Sequence, residues 1–207
     1  MSSGGTIDRL LDSIPGYGGY RDKERRRDSD RVIREALALD YGQLADRLGR
    51  LAGSLADERK IMAIPVVDKP YKQLTMFIDR VRTASYGYAP LFSDAAVDAS
   101  ALDQVALFDR ALADQKETLA EQIAALERAD AGDPAFKSLA AEIVTTVEGL
   151  HDRFDRRHDV IHAGKPLPDK DIVSYLDKPK PTTPSPAYRL HENEAVSYDG
   201  VNYSVSG

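Results

Sequence analysis

Apolar residues recur along most of this 207-residue chain at spacings of three and four, the pattern of helices that bury one face. The first run covers about residues 20–60. It carries Ile33, Leu37, Leu44, Leu48, Leu51 and Leu55 on one stripe, with Tyr41 bridging the gap. Pro65 and Pro70 bracket a break. Asp68 is placed to cap a second helix with Pro70 in its first turn. Leu74, Phe77, Ile78, Val81 and Tyr88 mark the buried face of that helix, and Gly87 and Pro90 end it. After a linker over 91–98, Asp98 or Ser100 caps a third helix over about 100–129, with Leu102, Val105, Phe108, Leu112, Leu119, Ile123 and Leu126 inside. Lys116 falls on the same seam, where its stem can lie on apolar surface while the charge reaches outward. Ala131-Gly-Asp-Pro134 supplies a loop, an N-cap and an N1 proline in order. The fourth helix, about 134–162, follows Phe136, Ala140, Ile143, Val147, Leu150, Phe154 and Ile161. Arg157 is its one charged intruder, and Gly164 and Pro166 stop it.

Two helices of roughly 30 residues joined by a short loop make an antiparallel hairpin. With the first two helices this predicts a mainly all-α chain: an elongated, antiparallel, coiled-coil-like helical bundle over 20–163, behind a flexible lead at 1–19. Residues 164–190 are a different material. Six of the chain's eleven prolines lie between Pro166 and Pro186, around a short apolar island, Ile172-Val-Ser-Tyr-Leu176. The stretch Lys178–Pro186 reads as an extended spacer that can reach about 25 Å. At 191–207 two alternating runs flank Asp199-Gly200, a strong hairpin signal. A two-stranded hairpin is marginal alone. Val196, Tyr198, Val201, Tyr203 and Val205 are therefore expected to bind a partner strand, on another protein or on a second copy of this chain.

Composition narrows the chemistry. The net charge of −6 argues against nucleic-acid binding through bulk charge. Without cysteine there are no disulfides, thiolate nucleophiles or cysteine-held metal sites. The N-terminus lacks the charged and apolar regions of a signal peptide, no apolar run approaches a membrane span, and a cytoplasmic location is expected. Pro15-Gly-Tyr-Gly-Gly19 lacks the spacing of a phosphate loop and reads as a turn. The start of the first helix holds seven bases against five acids, a mixed solvated face; its sharper reading is an arginine patch for anionic lipid. Tyr71, Tyr86 and Tyr88 read as packing anchors. No nucleophile elbow, catalytic triad or glycine-rich oxyanion loop stands out, and no cofactor is implied.

One constellation carries a metal reading. Glu148, His151, Asp155, His158 and His162 fall at spacings of three, four, three and four, so all five share one helical stripe of ligand types. Glu148-Gly-Leu-His151 also has the E-x-x-H spacing of di-iron bundles, but such sites need a second E-x-x-H and two further glutamates. Each residue sits one position past the core seam, and Arg153, Arg156 and Arg157 oppose a dication. The stripe therefore reads first as a solvated flank, and second as a metal carrier or oxidase-like site.

Ile14-Pro-Gly-Tyr-Gly-Gly-Tyr-Arg-Asp-Lys-Glu24 and Asp79-Arg-Val-Arg-Thr-Ala-Ser-Tyr-Gly-Tyr-Ala89 resemble two signature stretches of an uncharacterised family of bacterial helical proteins, a resemblance that covers about residues 14–162. The tail, Glu194–Gly207, resembles the opening hairpin of a small bacterial β-domain of unknown function. Both families are associated with genomic neighbourhoods of SPFH and phage-shock-protein-A-like membrane-stress proteins. The resemblance implies a membrane-maintenance setting and carries over no catalytic residue. Together these readings predict a non-enzymatic interaction or scaffold protein that docks a protein partner or its own copy and reaches membranes peripherally, through that partner.

Overall fold

The stretches that keep the three-and-four rhythm are helical: α1 (Lys23–Asp57), α2 (Ile64–Thr83), α3 (Ala99–Arg128) and α4 (Pro134–Ala163). The structure, a computed structural model, describes residues 23–84, 89, 91, 99–168, 196–198 and 201–203, with backbone alone for 23–26, 99 and the last two segments. Expectations for 1–19, Tyr86, Gly87, Tyr88, Pro90, Asp98, the linker 169–190, the Asp199-Gly200 turn and Val205 lie outside the described residues. The chain divides into two compact units, Met1–Leu176 and Asp177–Gly207.

Contacts between named residues give the direction of each helix in the first unit. Arg34 donates to the Val81 carbonyl, and Gly49 lies beside Tyr71, so α1 and α2 run antiparallel. α3 and α4 are likewise an antiparallel hairpin across the loop 129–133. The two hairpins meet through parallel neighbours: Tyr41 reaches Leu112 and Arg47 reaches Glu127 between α1 and α3, while Gln73 and Arg80 meet His151 and Asp155 between α2 and α4. This is a four-helix bundle of two docked hairpins. The interior between them holds the predicted seams, and only Leu51 among those named for α1 is half-buried.

Local chemistry explains the boundaries. The Asp133 side chain accepts from the Ala135 N–H at 2.8 Å, Pro134 takes the first helical position, and Gly164 ends α4 at φ 63° in the left-handed region. The start of α2 departs from expectation. It begins at Ile64, with Pro65 in the first turn, and Pro70 is buried inside the helix. Asp68 does not cap; it pairs with Lys72 at 2.5 Å. A 3-10 turn, Ile61–Ala63, leads straight into α2, and Pro65 falls in its first turn, where an N–H has no partner within the helix to lose. Pro70 does remove an interior hydrogen bond, at a cost of about 3 kcal/mol, which its burial beside Val67 and Leu74 offsets.

The end of α1 is closed without glycine. Lys60 N–H bonds the Leu55 carbonyl at 2.8 Å and Arg59 N–H bonds the Ala56 carbonyl at 3.0 Å, the paired bonds of a left-handed helix cap. Arg59 therefore adopts φ 60°. A side chain there costs about 1–2 kcal/mol, partly offset because glycine loses about 0.5–1 kcal/mol more entropy on folding. Arg59→Gly is expected to raise stability by about 0.5–1 kcal/mol, read as a higher melting temperature. A lower melting temperature would contradict this cap.

Of the second unit, the described backbone is β1 (Val196–Tyr198) and β2 (Val201–Tyr203), an antiparallel pair with Val196 opposite Tyr203, Ser197 opposite Asn202 and Tyr198 opposite Val201.

Candidate functional site

Charge enters the bundle where the seam sequence admits it. Arg157 and Asp109 are fully buried, and Asp30 is 6% exposed. Arg157 Nε donates to Asp109 Oδ1 at 2.5 Å, and its Nη2 donates to Asp30 Oδ1 at 2.7 Å and to Asp109 Oδ2 at 3.3 Å. Arg34 then donates from Nε to Asp30 Oδ2 at 2.8 Å and from Nη1 to the Val81 carbonyl at 3.2 Å. Two guanidinium groups and two carboxylates thus neutralise one another across α1, α3 and α4, with a backbone tie to α2. The planar fork of arginine suits such a junction, because it bonds two carboxylates in fixed directions.

A second intruder finds a similar solution. Lys116 is not turned wholly outward as its sequence position suggested; its Nζ lies 3.3 Å from Oδ2 of the buried Asp40 on α1. Near it, the Tyr41 hydroxyl donates to the Leu112 carbonyl at 2.5 Å, and burial pushes the phenol far above its usual pKa. Closer to the surface, Arg47 grips Glu127 with two nitrogens, which holds that carboxyl below its usual range.

The histidine stripe lies beside the interior, at the α2–α4 contact. Glu148, Asp155 and His162 are exposed, while His151 and His158 are partly buried. Arg80 of α2 organises this face. It is paired with Asp155, sits 3.4 Å from His151 Nδ1, and lies 5.7 Å over the Phe154 ring. His151 packs edge-on against Phe77 at 5.4 Å. His158 and His162 lie ring to ring at 4.0 Å. The stripe is therefore split between an arginine-bound pair and a histidine pair whose rings are tilted by 39°. Among the described residues no three His, Cys, Asp or Glu side chains group as metal ligands. Burial lowers the pKa of His151. It also lowers that of His158, with His162 adding a smaller push in the same direction.

That lowering has a defined sign. The folded state favours neutral His151 and His158, so the unfolded chain binds more protons as pH falls below about 6.5. Their contribution is intact above that value and is lost as pH drops through the folded-state pKa values. Glu127 acts in a separate window, below the ordinary carboxylate pKa. Urea unfolding should show stability falling from about pH 7.5 to 5.5, with a shallower fall in a His151→Gln, His158→Gln double variant. An unchanged slope in that variant would contradict the assignment.

Sequence reasoning singled out Arg157 and Lys116 as intruders but missed their partners. The signal was present: Asp109 follows Val105 and precedes Leu112 in the same three-and-four rhythm, and Asp30 and Asp40 stand in register with Ile33, Leu37 and Leu44. Of the residues expected to bind a partner, Val196, Tyr198, Val201 and Tyr203 belong to the paired strands.

Fold and site together define the class: a four-helix bundle of two docked hairpins with a buried ionic layer toward one end. No protein family, curated protein or solved structure matches this chain. Among the described residues, no helix is long and apolar enough to cross a membrane.

Proposed function

We propose that the chain is a non-enzymatic, cytoplasmic interaction protein in which the bundle is a rigid docking body, the proline-rich stretch a tether, and the terminal hairpin a strand-pairing end. The carrying observation is the two-stranded register of Val196–Tyr198 with Val201–Tyr203, because among the described residues neither strand pairs with a third, which leaves each an outer edge for pairing. The bundle supports the role of a rigid body: its seams are filled with apolar side chains, and its interior charges are cross-linked between helices. The resemblance to helical proteins encoded near membrane-stress genes supports placing its partners in membrane-associated assemblies. We rank this reading above a metal carrier or oxidase because Arg80 already occupies Asp155 and flanks His151.

Sedimentation of the full chain over a range of concentrations, alone and with candidate assemblies, tests the proposal. Association is expected to vanish on deleting 191–207 and on Asn202→Pro, which blocks a strand edge. Association unaffected by both changes would sink it.

A further inference from the structure

The ionic layer divides the hydrophobic interior in two. On one side lies the main core, running through Leu37, Leu48, Phe77, Leu112 and Phe136. On the other lies a smaller cluster of Ala89, Leu91, Ala101, Leu102, Val105, Phe108, Val160 and Ile161, with Leu167 packed against it. Asp109 separates the two clusters along α3, and Arg157 separates them along α4.

Leu167 follows α4 and lies where the chain leaves toward the tail. It is tied down by one side chain: Gln104 Nε2 donates to the Leu167 carbonyl at 2.9 Å, and Leu167 N–H donates to Gln104 Oε1 at 2.8 Å. Gln104 itself is 7% exposed. An amide that meets both backbone groups of one residue behaves like a one-rung strand pair, and it fixes the path of the chain as well as its position.

We infer that the bundle end beyond the Asp30–Arg157–Asp109 layer is a separately opening unit, and that the Gln104–Leu167 clamp is its latch. Along α3 and α4 buried charge interrupts the apolar packing, and the partly buried Ala84 after α2 is the small side chain that touches both clusters, so the small cluster can open without dismantling the main core. Displacing the chain at Leu167 removes two hydrogen bonds and one apolar side chain from the smaller cluster together. The inference stands whether or not the terminal hairpin pairs with another chain.

Native-state hydrogen exchange across low urea concentrations tests this in the full chain. Amides at 105–108 and 160–167 are expected to exchange through an opening with a smaller urea dependence than those at 37–48 and 119–126. In Gln104→Ala the first set should exchange about tenfold faster, the effect of losing hydrogen bonds worth about one power of ten, while the second set keeps its rates. Gln104→Glu retains the acceptor for Leu167 N–H but sets a buried carboxylate oxygen against the Leu167 carbonyl, and should accelerate the first set at least as much as Gln104→Ala. A single common isotherm for both sets in the unaltered chain would overturn the inference, as would an equal acceleration of both sets in Gln104→Ala.

Discussion

Arg157→Met is expected to lower the unfolding free energy by about 3–5 kcal/mol. The side chain is fully buried, and its removal takes both guanidinium bonds from Asp109, which is also fully buried, and one of two from Asp30, whose other oxygen keeps Arg34. The loss comes less from the missing attraction than from a buried carboxylate deprived of this counter-charge in a medium that solvates it poorly. The same reasoning predicts a rescue. Arg157→Met combined with Asp109→Leu removes the buried pair together and should recover most of the loss, because Arg34 still pairs with Asp30. Urea unfolding followed by helical circular dichroism measures both. A single Arg157→Met variant as stable as the parent would show that the layer does not form, and a double variant no better than the single would show that packing, and not the lost counter-charge, accounts for the loss.

Phe77→Ala is expected to cost a comparable amount, about 3–5 kcal/mol. Phe77 is fully buried and meets three other rings edge to face: Tyr41 at 5.2 Å, His151 at 5.4 Å and Phe154 at 6.1 Å. It joins α1, α2 and α4, so the cavity left behind is lined by three helices whose backbones cannot all move in to fill it. A second readout separates this from a general loss of structure. Removing the ring opens one side of His151, so the imidazole titration, followed by NMR, should move up toward the ordinary histidine value. A cost below about 1 kcal/mol, or an unmoved His151 titration in a folded variant, would contradict the packing described.

These two sites differ in how far they could be read from sequence. Phe77 lies on an apolar stripe with Leu74, Ile78 and Val81, and its burial follows from that stripe. The end of α4 follows from Gly164 and its start from Asp133-Pro134. Those signals act within a few residues, through hydrogen bonds and backbone conformations that the local sequence controls. The start of α2 was hidden for the opposite reason. Arg59 closes α1 in a conformation usually left to glycine, so the marker that announces such an ending is absent. Asp68 looked like a cap but has Lys72 one turn on as a partner.

By itself the sequence determined four amphipathic helices, most of their ends, the residues that face inward, and the positions where Lys116 and Arg157 break the apolar seams. Only the tertiary structure decided which acids answer those bases. Asp40 lies seventy-six positions from Lys116, and Asp30 lies one hundred and twenty-seven from Arg157. It also decided that the His151 side of α4 meets Arg80, and that Leu167 is clamped back to Gln104. The physical reason is the range of the forces involved. Helical periodicity is a property of one segment and its water-facing side. Pairing of buried charges depends on which helices become neighbours and in which direction they run, and many arrangements of four amphipathic helices satisfy the same apolar stripes.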